Sequence, residues 1–67
     1  MYMAHIYGWT EVTAFSEDME KAKKLAVKKK KAFCKDDLNK WTWETVSEYY
    51  GAKVFKISEG LVFTDYD

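Results

Sequence analysis

Arginine and proline are missing from this 67-residue chain, cysteine occurs once and glycine three times. Each absence removes a class of function. Arginine supplies the planar fork that reads phosphate and guanine bidentately, so a chain whose eleven basic residues are all lysine is poorly equipped for sequence-specific nucleic-acid recognition. Cys34, the single cysteine, allows no internal disulfide and no paired-cysteine zinc spacing, and one unpaired thiol fits a reducing compartment. No apolar run approaches the roughly 20 residues needed to cross a bilayer, and the first residues lack the basic and apolar regions of a secretory leader. A cytoplasmic location without a membrane partner is the resulting expectation. No glycine-rich phosphate loop, nucleophile elbow or metal-ligand cluster occurs, so no catalytic residue, cofactor or metal is expected. No linker, internal repeat or low-complexity segment divides the chain beyond its lysine run. It reads as one small domain, residues 1–67.

What the chain does have is aromatic mass and an uneven charge layout. Three Trp, five Tyr and four Phe matter because a domain of about 60 residues buries only about 60% of its unfolded surface. Such a domain needs a staple, and without a disulfide the choices left are a dense core or self-association. The formal net charge is zero, yet it is not evenly spread. Residues 1–20 hold only acids, residues 21–35 only lysines, and residues 36–67 mainly acids. A basic face on an otherwise acidic body follows.

The stretch Ser16–Lys35 has the pattern of an amphipathic helix. Ser16 is the expected N-cap, followed by Glu17 and Asp18 against the positive end of the helix dipole. At about 100° per residue, Met19, Ala22, Leu25, Ala26 and Phe33 share one face. Lys21, Lys24, Lys28, Lys31 and Lys35 form a stripe on the opposite side, while Lys29 and Lys30 border the apolar face with their stems over it. Before this helix, Met1–Phe15 is rich in β-branched and aromatic residues and reads as strand. One long strand bent at Gly8 is favoured over a hairpin near Gly8-Trp9-Thr10, because no Asn-Gly or Asp-Gly pair is present.

After Asp36-Asp37 a second helix is expected in one of two registers, Leu38–Tyr50 or a Thr42-capped Trp43–Tyr50, with Gly51 ending both. Leu38, Trp41, Thr45, Val46 and Tyr49 make its buried face, leaving Trp43 and Tyr50 toward the flank. Ala52–Ile57 and Leu61–Thr64 read as strands around a Ser58-Glu59-Gly60 turn, and Asp65–Asp67 as a frayed tail. The order is strand–helix–helix–strand–strand. That is an α+β two-layer domain with both helices on one face of a small three- or four-stranded sheet, and with room for a parallel first crossover.

Two surfaces are candidates for function. The outward face of the first strand, Met3, His5, Tyr7 and Trp9, would form an aromatic patch on a sheet face that no helix covers. The lysine stripe would meet nucleic-acid phosphates or an acidic partner without reading sequence, although a solvated outer face explains most such runs. His5 and Cys34 each lack a partner whose proximity the sequence can establish. The leading expectation is a non-enzymatic protein-interaction module of inhibitor or adaptor type, self-associating as a homodimer through the strand face. Its size and composition would suit an accessory protein of a phage or mobile element. The alternative is a non-sequence-specific nucleic-acid-binding protein that uses the stripe, with Trp9, Trp41 or Trp43 stacking on bases.

Overall fold

A computed structural model of the chain describes residues 1–34, 38–58 and 61–66, the last strand through its backbone pairing. The elements are β1 (Tyr2–Ile6), β2 (Val12–Ser16), α1 (Met19–Phe33), α2 (Trp43–Tyr50), β3 (Ala52–Ser58) and β4 (Leu61–Tyr66). They form an α+β domain in which two helices pack on an antiparallel sheet of order β2-β1-β3-β4. No described helix is long and apolar enough to cross a membrane.

The first stretch is the hairpin that the sequence left as the alternative, not the favoured single bent strand. β1 and β2 pair antiparallel from Tyr2↔Ser16 to Ile6↔Val12. β3 then joins the other side of β1, also antiparallel, from Tyr2↔Lys56 to Ile6↔Ala52. No parallel neighbours result. The helices connect β2 to β3, which run in the same direction with β1 inserted between them. The expected tail is also shorter, since Asp65 and Tyr66 belong to β4 and register with Phe55 and Val54.

Strand alternation separates the two sheet faces. One face carries the rows Ala14–Ala4–Val54 and Val12–Ile6–Ala52. Small side chains here let α1 approach closely through Ala22 and Ala26, which are fully buried with Ala4, Ile6 and Val46. Full burial of a side chain the size of Ile6 or Val46 contributes about 1.5–3 kcal/mol.

The start of α1 differs from expectation. Asp18 is the N-cap, its carboxylate accepting from the amides of Glu20 and Lys21. Ser16 closes β2 instead, and its hydroxyl accepts from the Asp18 amide. The carboxylate serves better at this position because it also meets the positive end of the helix dipole. The buried face of α1 is Ala22, Ala26, Val27 and Lys30, whereas Leu25 and Phe33 are more than half exposed. Lys30 follows Ala26 by one turn, so helical geometry carries it inward with the alanines.

In α2 the shorter register holds. The Thr42 hydroxyl accepts from the Thr45 amide, and the Gly51 amide donates to the Ser47 carbonyl. Trp43 and Tyr50 pack against the core with Leu38 and Trp41, while Tyr49 is exposed. Tyr50, expected toward the flank, is thus the inward ring, and Tyr49, expected on the buried face, is the outward one.

The β1–β2 loop lacks turn chemistry of its own and takes its shape from tertiary contacts. Lys30 is fully buried, its ammonium donating to the Thr10 carbonyl and lying 4.4 Å from the centre of the Tyr50 ring. The Tyr7 amide donates to the Gly51 carbonyl at 2.9 Å, joining the loop to the end of α2. Gly8 has φ +112°, and a Cβ there would lie 2.9 Å from Tyr50 Cδ1 and 3.1 Å from Lys30 Nζ. At Gly51, with φ +89°, a Cβ would meet only Tyr7 Cδ2, at an ordinary contact distance of 3.7 Å. Gly8→Ala is therefore expected to cost about 2 kcal/mol or more in denaturant unfolding, and Gly51→Ala about 1. Equal costs would show that the loop does not depend on close packing against Lys30 and Tyr50.

Candidate functional site

The four residues expected on the outward strand face end up in three environments. Met3 and His5 do point away from the helices, and both are half-buried. Tyr7 lies just past β1 and sets its ring edge-on to His5 at 4.6 Å. Trp9 belongs to the hairpin loop and is 98% exposed, with its indole in solvent beyond the sheet. The hairpin, by reversing the chain at Gly8, removes Trp9 from the patch.

Register supplies the neighbours that the sequence alone did not. Phe15 of β2 and Phe55 of β3 flank Met3, so one row reads Phe15–Met3–Phe55 across three strands. Thr13 and Lys53 flank His5 in the next row. Phe15 is 53% exposed at the β2 end of its row. The signal for this patch was present as alternation in 12–16 and 52–57, but its assembly needed the strand order. No described element lies over it.

His5 is held from both sides. Its Nε2 is 3.1 Å from Glu11 Oε1 and its Nδ1 is 2.7 Å from Thr13 Oγ1. A carboxylate only accepts, so Nε2 donates to Glu11, and Nδ1 is paired with the Thr13 hydroxyl. With both nitrogens engaged, the ring presents no free lone pair to a metal. Among the described residues no group of three or more histidine, cysteine or acidic side chains converges on a metal-sized site. Cys34 is the C-cap of α1 and is half-buried.

The lysine stripe divides likewise. Lys21, Lys24, Lys28 and Lys31 are exposed along α1, and Lys35 lies outside the described residues. Lys24, Lys28 and Lys31 line a groove of about 460 Å³ between α1 and the segment entering α2, together with Lys23, Val27, Glu20, Trp41, Thr42, Trp43 and Glu44. Two of the three tryptophans thus face the stripe, and the third, Trp9, does not share the groove.

No protein-family model, curated protein or solved structure matches the chain.

The exposure pattern has a direct optical consequence. Trp41 and Trp43 are half-buried whereas Trp9 stands in water. Acrylamide quenching of wild-type fluorescence is expected to contain one highly accessible component that Trp9→Phe removes. Quenching unchanged by that substitution would place Trp9 against protein and contradict the open loop.

Proposed function

We propose that the protein is a non-enzymatic interaction module, of inhibitor or adaptor type, that self-associates through the uncovered sheet face. The observation that carries this reading is the row Phe15–Met3–Phe55, which spans three strands on the face opposite both helices. Apolar side chains aligned on a twisted but nearly planar surface lose hydration when a similar surface covers them, at about 25 cal/mol per Å². Among the described residues there is one core layer, and no second layer stands on that face. A second copy supplies one.

The polar row beside it favours a defined contact over nonspecific adhesion. His5 is fixed by Glu11 and Thr13 and braced by Tyr7, so that end of the face is ordered before any partner arrives. Side chains already held in place lose less entropy on association. A cytoplasmic setting agrees with the single unpaired thiol.

Phe15 is the residue to change, because it is half exposed and no buried cluster includes it. Wild-type protein is expected to show concentration-dependent dimerisation in light scattering after size exclusion. Phe15→Lys is expected to give a monomer with unaltered far-ultraviolet circular dichroism. A wild type that stays monomeric at every accessible concentration, or a Phe15→Lys dimer as tight as wild type, would remove the sheet face from consideration as a self-association surface.

A further inference from the structure

On the other side of the molecule, the α1–α2 groove combines features that the open sheet face lacks. We infer that this groove binds single-stranded nucleic acid without reading its sequence, by stacking a base against Trp41 or Trp43 while Lys24, Lys28 and Lys31 neutralise the flanking phosphates. The inference does not rest on the sheet face and stands or falls separately.

Charge and aromatic surface coincide here. Four lysines and two glutamates line the groove, and they are not evenly distributed. Lys23 is already committed, 3.4 Å from Glu20 and 5.7 Å from the centre of the Trp43 ring. Glu44 stands beside Trp43 in the first turn of α2. The acids therefore flank the Trp43 end, and the side formed by Lys24, Lys28 and Lys31 keeps its charge for a ligand. These three follow one another at spacings of four and three residues, so they are neighbours along one helix edge.

The indoles are held in place before a ligand arrives. Trp41 stacks on Tyr50 at 6.5 Å between ring centres with an interplanar angle of 28°, and Trp43 packs against the core. Rings fixed in this way offer a stacking plane at little entropic cost. The groove volume of about 460 Å³ falls in the range of about 300–1,000 Å³ seen for small-ligand clefts, enough for a nucleotide with its phosphates.

The ligand class follows from what is present and what is missing. Every base has a π-face, so stacking on indole is indifferent to sequence. Without arginine the groove has no fork for guanine. A paired base inside a duplex keeps its faces stacked on its neighbours, so the groove should prefer single strands. An acidic peptide would use the lysines and leave the indoles unused.

The test is fluorescence anisotropy of a labelled oligothymidine, with a duplex of equal length and inorganic tripolyphosphate as competitors. The expected result is binding to the single strand that weakens roughly twentyfold between about 50 and 200 mM salt, the slope for three neutralised phosphates. Replacing Trp43 or Trp41 by Ala should weaken it about tenfold or more. Lys24→Glu with Lys28→Glu should abolish it. Those lysines are exposed, so the charge-reversed protein keeps its packing and carries the test even where a tryptophan variant fails to fold. Absence of binding at low salt overturns the inference. So does equal affinity for duplex, or displacement by tripolyphosphate as effective as by unlabelled oligothymidine, which would reduce the groove to a plain cation surface. Loss of binding in Phe15→Lys but not in the lysine variants would move the site to the sheet and overturn it as well.

Discussion

The buried ammonium of Lys30 is the contact on which this fold turns. It lies where three parts of the chain meet: the β1–β2 loop, the last turn of α1 and the end of α2. Its Nζ donates to the Thr10 carbonyl and faces the Tyr50 ring, while Gly8 packs against both. Among the described residues no carboxylate forms an ion pair with it. Removing an ammonium from water costs several kcal/mol. Against that stand a charge-assisted hydrogen bond, about 1.5–3 kcal/mol, and a desolvated cation–π contact of about 2 kcal/mol. The stem adds apolar burial along α1. These terms are comparable, so the contact contributes as much to selecting one loop geometry as to stability.

The same contact explains which parts of the structure were legible from residues alone. Alternation in 1–6 and 52–57, the lysine periodicity of α1 and the Thr42–Gly51 frame of α2 are local patterns, and each produced its element. The hairpin was not legible, because nothing in Tyr7–Glu11 has the Asn-Gly or Asp-Gly chemistry that specifies a turn locally. Its geometry comes from Lys30, more than twenty residues from Gly8, and from the Gly51 carbonyl that receives the Tyr7 amide. Reading Lys30 as a border residue and Trp9 as a strand residue are two consequences of that one omission. The open face was only half legible. Met3 and His5 could be assigned from alternation, whereas Phe15 and Phe55 needed the order β2-β1-β3 to stand beside Met3. The groove joining Trp41 and Trp43 to the stripe needed the packing of α2 against α1.

The two proposed contact surfaces lie in different layers. The sheet presents its apolar row on one side, and the helix layer presents the lysine and tryptophan groove on the other. Because the core of Ala4, Ile6, Ala22, Ala26 and Val46 lies between them, a second copy on the sheet would leave the groove unobstructed. Two copies joined through their sheets would present two grooves facing outward, and a single strand long enough to reach both would gain from their linkage. Lys30 bears on both layers at once, since it fixes the hairpin on one side and the Tyr50 ring that backs Trp41 on the other.

Unfolding free energy of Lys30→Met, read together with hydrogen exchange at the Tyr7 amide, addresses that central role most directly. Methionine keeps the apolar stem and removes the ammonium, leaving the Thr10 carbonyl without its donor. The expected result is a loss of about 1–3 kcal/mol, with Tyr7 exchanging much faster while the amides in the middle of α1 keep their protection. A variant as stable as wild type or more so, with Tyr7 still protected, would mean that apolar packing alone shapes the hairpin and that the ammonium is incidental.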